Sequence, residues 1–185
     1  MSAPDTLKDD LEFISSAVRR GEDDRGYAPL YFLWAALIAV GFTLPDFAPE
    51  LALPYWLVIG PGGGLFSWWY GGRRALRAGV RDRQLGRRYG LHWLLSGAGI
   101  GLVVLMGTTG ALSAQQMSGL LLVTTGMAYA LAGVHLNPPM LPSGFIMLLA
   151  AAAMMILKVP YVWTATGLAV GAALLVAGIC AARAQ

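Results

Sequence analysis

Apolar residues run through this chain in six blocks, at about 27–44, 51–70, 89–112, 117–136, 143–157 and 161–182, separated by short polar or proline-bearing connectors. A helix needs roughly 20 apolar residues to cross about 30 Å of hydrocarbon, and five of the blocks approach that length; the fifth is short for a span. The expected fold class is therefore all-α: a polytopic membrane helix bundle of six transmembrane helices. The connectors support the division. Pro45-Asp46-Phe47-Ala48-Pro49-Glu50 and Asn137-Pro138-Pro139-Met140-Leu141-Pro142 are rich in turn formers, and Ser113-Ala114-Gln115-Gln116 is short enough to make the third and fourth helices a hairpin.

Residues 1–26 have a different pattern. Leu7, Leu11, Ile14 and Val18 recur at helical spacing, and Asp5-Thr6-Leu7-Lys8-Asp9 resembles a helix start. Asp9, Asp10 and Glu12 at the beginning and Arg19 and Arg20 at the end suit the helix dipole, and Gly21 is a natural stop. A short cytoplasmic amphipathic helix is expected, lying on the membrane or the bundle, or serving as a docking arm. The segment has no apolar core near its start, so it does not read as a secretory signal and is expected to be retained. Two regions follow: an arm at 1–26 and a six-span domain at 27–185, with an arginine-rich cytoplasmic loop at 71–88.

Composition agrees with the pattern. Hydrophobic residues make up 57% and charged residues 12% of the chain, against about a quarter charged in soluble domains. Charge settles orientation. Seven arginines (73, 74, 77, 81, 83, 87 and 88) face one acid, Asp82, in the 71–88 loop. With both termini cytoplasmic, twelve of the thirteen cations lie inside and only Lys158 lies outside. An inner, cytoplasmic membrane of a bacterium is the expected location. The arginine block follows the aromatic belt Trp68-Trp69-Tyr70, as membrane topology alone requires, so nucleic acid is not an expected partner.

Within the second block, Pro61-Gly62-Gly63-Gly64 is expected to break or bend the helix, because proline lacks the N–H and glycine is conformationally free. Irregular backbone at membrane depth must face protein or water, so carbonyls near Ile59 and Gly60 would line a solute or ion path. The competing reading is a packing kink, with Gly60 and Gly64 letting another helix approach. Gly167, Gly171 and Gly178 place a second glycine stripe on the sixth helix. Thr108-Thr109-Gly110 and Thr124-Thr125-Gly126 hint at an internal repeat.

Chemistry-bearing residues are sparse. No Asp, Glu, Lys or Arg falls in the middle of a block, which argues against a proton-coupled pump. His92 and His135 come to one level if helices three and four form a hairpin, making them weak candidates for a metal or haem, yet no carboxylate or cysteine completes a shell. Cys180 is the only cysteine and is expected simply to pack. Ser96 lies one turn from His92 without a third group to orient them, and signature motifs for phosphate binding, zinc proteolysis and serine hydrolysis are missing. Neither enzymatic activity nor a cofactor is expected. The leading reading is a small non-enzymatic inner-membrane protein acting through its cytoplasmic face. There Asp9, Asp10 and Glu12 of the arm and Arg77, Arg81, Arg83, Arg87 and Arg88 of the loop are open to a protein partner, a second copy or anionic lipid headgroups. The alternative is a small-solute or ion channel or transporter built on Pro61–Gly64.

Overall fold

The computed structural model describes residues 28–77, 83–157 and 160–183, and those residues form helices and no strand. The helices are α1 (Ala28–Phe47), α2 (Pro49–Arg77), α3 (Arg83–Thr108), α4 (Ala114–His135), α5 (Leu141–Leu157) and α6 (Val162–Arg183), with a 3-10 turn at Pro138–Met140. The all-α bundle is thus the observed architecture. The stretches Ala28–Phe47, Arg83–Thr108, Gln115–His135, Pro138–Ile156 and Val162–Arg183 are long and apolar enough to cross a membrane. The short fifth block reaches this length because the 3-10 turn runs directly into α5. α2 has ample length at 29 residues, but Pro54, Pro61 and its glycines and aromatic residues dilute its hydropathy. The expected arm at 1–26 lies outside the described residues.

Several boundaries differ from the sequence reading. α1 continues through Pro45 to Phe47, and only Ala48 separates it from α2, whose first residue Pro49 occupies the position where a missing N–H costs nothing. The 71–88 loop is largely helix: 71–77 extend α2 and 83–88 begin α3. Arginine is a good helix former, and two glycines at 71 and 72 do not outweigh a helix already nucleated. Ser113 to Gln116, expected as a link, instead starts α4 through a capping box. The Ser113 hydroxyl accepts the Gln116 N–H at 3.3 Å, and the Gln116 side chain accepts the Ser113 N–H at 2.9 Å.

Two helix pairs approach backbone to backbone. The α6 glycine stripe meets α1: a methyl group at Gly167 would lie 2.5 Å from Phe42 Cβ, one at Gly171 3.3 Å from the Ala35 carbonyl, and one at Gly178 2.7 Å from the Phe32 ring. Between α4 and α5, a methyl at Gly126 would come 3.1 Å from the Gly144 carbonyl, and one at Gly144 would collide with the Ala130 backbone. In lipid the hydrophobic effect does not drive helices together, so this close van der Waals contact is a main source of adhesion. Larger residues fill what remains, with Tyr31, Ile38 and Phe42 of α1, Leu122 and Tyr129 of α4, Met147 of α5 and Leu174 of α6 in the buried core.

Packing follows the order α2, α1, α6, α5, α4, α3, with α2 and α3 at the two flanks. They are also the least buried: each has a single buried residue, Gly63 in α2 and Val103 in α3. The threonine-glycine triplets are not equivalent. Gly110 takes a left-handed turn conformation (φ 77°) after α3, whereas Gly126 is an α4–α5 contact. Cys180 is exposed rather than packed.

Replacing Gly144 with alanine should lower the thermal midpoint in detergent, by an overpacking cost of about 1–3 kcal/mol. Gly99→Ala, where the added methyl meets nothing within 4 Å, should leave the midpoint unchanged or raise it. Equal midpoints for the two variants would remove the role assigned to the α4–α5 contact.

Candidate functional site

Helix direction determines where charge accumulates. α2 runs antiparallel to α1, as shown by Trp34 Nε1 donating to Ser67 Oγ at 3.0 Å and Tyr55 donating to the Leu37 carbonyl at 2.9 Å. α6 is antiparallel to α1 through the glycine contacts above. Asn137 Nδ2 donates to Tyr31 Oη at 2.6 Å, which brings the α4–α5 connector to the start of α1. Tyr89 donates to the Leu136 carbonyl at 3.3 Å, which sets the start of α3 beside the end of α4. As a result Arg73, Arg74, Arg77, Arg83, Arg87, Arg88 and Arg183, every described arginine, lie at one end of the bundle. Asp46 and Glu50, the described acids, lie at the other.

Six of these arginines sit on two helical stems. Trp34 packs on Gly63, so in the antiparallel pair Ala28, the first described residue, is level with about residue 69 of α2, and 70–77 run about 12 Å past that level. Arg83 to Arg88 project about 9 Å beyond the Tyr89–Leu136 contact. The five residues between the stems hold Arg77 and Arg83 within about 20 Å. At the base of the α2 stem the Arg73 guanidinium lies 4.6 Å from the centre of the Trp69 ring, and Arg74 approaches the Tyr70 hydroxyl at 3.5 Å. Trp68, Trp69 and the stacked Phe66–Tyr70 pair form the aromatic collar beneath. Arg77, Arg83, Arg87 and Arg88 are exposed. Asp9, Asp10, Glu12 and Arg81 lie outside the described residues.

The expected break in α2 is not there: the helix is continuous through Pro61–Gly64. Proline removes one donor, that facing the Leu57 carbonyl, and the surrounding turns hold the helix together. Pro61, Gly62 and Gly64 are exposed, and methyl groups at Gly60, Gly62 or Gly64 would meet nothing within 4 Å. Gly63 is the packing glycine, with Trp34 2.9 Å from where its methyl would be. This geometry lends no support to a solute path at these residues. His92 and His135 also stay apart. His92 Nε2 lies 3.0 Å from the Ala128 carbonyl, about 10 Å along α4 from the exposed His135. No group of three metal-ligating residues occurs among the described residues.

The opposite end holds a constellation that the sequence reading missed. The Asp46 carboxylate, at the end of α1, accepts both the Thr164 N–H (2.7 Å) and the Thr164 hydroxyl (2.6 Å), so it caps α6 from another helix. Phe47 stacks on Tyr161 at 5.7 Å, with Tyr161 in the left-handed region at φ 55°. Phe42 meets Trp56 and Trp163 edge-on at 5.7 and 5.4 Å. These rings form a second aromatic collar, which their places beside two connectors could have signalled. No family model, curated protein or solved structure matches the chain.

Asp46→Ala should destabilise the protein in detergent by about 1 kcal/mol, the usual cost of losing a helix cap, while Asp46→Asn, which keeps an acceptor, should recover most of it. The check is thermal unfolding of both variants; an alanine variant as stable as the parent would show that the cap does not hold α1 to α6.

Proposed function

We propose that this is a non-enzymatic integral protein of a bacterial inner membrane that acts through its cytoplasmic face, engaging anionic lipid headgroups or a protein partner with the arginine-bearing stems of α2 and α3. The observation that supports this reading most directly is the collection of every described arginine at one end of the bundle. Cations beside transmembrane helices stay cytoplasmic, which gives that end its side. α2 lies along α1 from Trp56 to Ser67, so if α1 crosses the bilayer α2 crosses with it, and six crossings return both termini to the cytoplasm. Reporters fused at positions 1, 80, 138 and 185 should report cytoplasm, and those near 48, 114 and 159 the opposite side. A fusion at 185 on the outer side would break the six-crossing arrangement.

The acidic arm supplies an intramolecular competitor for the same arginines, since seven acids precede residue 27. Exposed ion pairs are worth only about 0–1 kcal/mol each and are screened beyond about 8 Å at physiological salt, so such an arm is displaceable by lipid or by an acidic partner. Paired cysteines at Asp10→Cys and Arg83→Cys in a Cys180→Ala background should crosslink at low salt and lose yield at high salt. A yield indifferent to salt, or no crosslink at low salt, would leave the arm as a membrane-surface element alone.

A further inference from the structure

We infer that the groove between α1 and α6 seats one acyl chain of an anionic phospholipid whose headgroup phosphate is held by Arg183. The groove is shallow and open along one side, with a volume of about 400 Å³. Phe32, Ala36 and Ala39 form one wall and Leu168, Ala172 and Leu175 the other. Its floor exists because Gly171 lets α6 close on the Ala35 carbonyl. The lining carries no charged side chain and lies at the depth of a spanning helix pair, where the surrounding solvent is hydrocarbon.

A cation on the same helix, about 12 Å beyond Leu175 at the end of the groove, determines what kind of molecule fits. Leu168, Ala172, Leu175, Ile179 and Arg183 follow one another at spacings of four, three, four and four, so they form one face of α6 that leads from the groove to an exposed guanidinium. Along the helix, Leu168 to Arg183 covers about 22 Å, half of a bilayer about 40–45 Å thick including its headgroups. One lipid of the arginine-side leaflet therefore matches the site in length, in apolar character and in charge. Arginine suits phosphate because its planar fork donates two parallel hydrogen bonds, and it favours an anionic lipid over a zwitterionic one by net charge, since a choline ammonium offsets the phosphate that both share. This site is separate from the α2 and α3 stems, so its variants leave those arginines intact.

The test uses Ile179→Cys in a Cys180→Ala background, labelled with a benzophenone maleimide and reconstituted in vesicles of equal parts phosphatidylglycerol and phosphatidylcholine. After irradiation, intact mass should show phosphatidylglycerol adducts about fivefold over phosphatidylcholine, the discrimination that one arginine near an anionic surface supplies. Arg183→Gln should bring the ratio to about one, and Ala172→Phe, which fills the groove from an exposed position, should do the same. Leu149→Cys, exposed on α5, serves as the reference for unselected lipid. A ratio at position 179 equal to that at 149, a ratio unmoved by both substitutions, or protein–protein adducts in place of lipid would overturn the assignment; the last would give the groove to a second copy of the chain.

Discussion

Close backbone approach at glycine is the constraint on which the bundle depends. Inside a bilayer, burying a leucine against another leucine gains little over leaving it in lipid, so helices adhere where small residues let many atoms come into contact. Gly167, Gly171 and Gly178 do this for α6 against α1, and Gly126 and Gly144 do it for α4 against α5. Among the polar links between helices, Asn137–Tyr31 and the Asp46 cap on Thr164 fall at helix ends, while Trp34–Ser67, Tyr55 to the Leu37 carbonyl and His92 to the Ala128 carbonyl fall along the helices. Adhesion of the α1–α6 and α4–α5 pairs is thus set by shape along the middle of the bundle, and the flanking α2 and α3 are held there by hydrogen bonds as well.

That division explains the contrast between inner and flanking helices. α1, α4, α5 and α6 contribute nearly all of the core, while α2 and α3 bury one residue each. The flanking helices are also the ones that carry six arginines beyond the aromatic collar. Stacking of Arg73 on Trp69 holds one of these guanidiniums against the collar. At the other end Asp46 has structural work: its carboxylate satisfies one orphan N–H of α6, that of Thr164, and the Thr164 hydroxyl as well.

The apolar helices and the gathering of the described arginines at one end were legible in the chain, though not their boundaries, because a bilayer demands about 20 apolar residues per helix and arginines keep to one side. The α6 glycine spacing was legible for a similar reason: residues at intervals of four and seven share one face whatever that face meets. Which helix it would meet was not, since any smooth surface accepts a glycine stripe, and only the assembled bundle selects α1. The same limit explains Pro61–Gly64. Local propensity favours a break there, yet the contacts of Trp34 with Gly63 and Ser67 hold the turns on either side in one helix. The Asp46–Thr164 cap joins residues 118 apart in sequence, and the α1–α6 groove joins the first and last described helices. Partners so distant leave no periodic trace in the sequence, and it is the tertiary structure that brings them together.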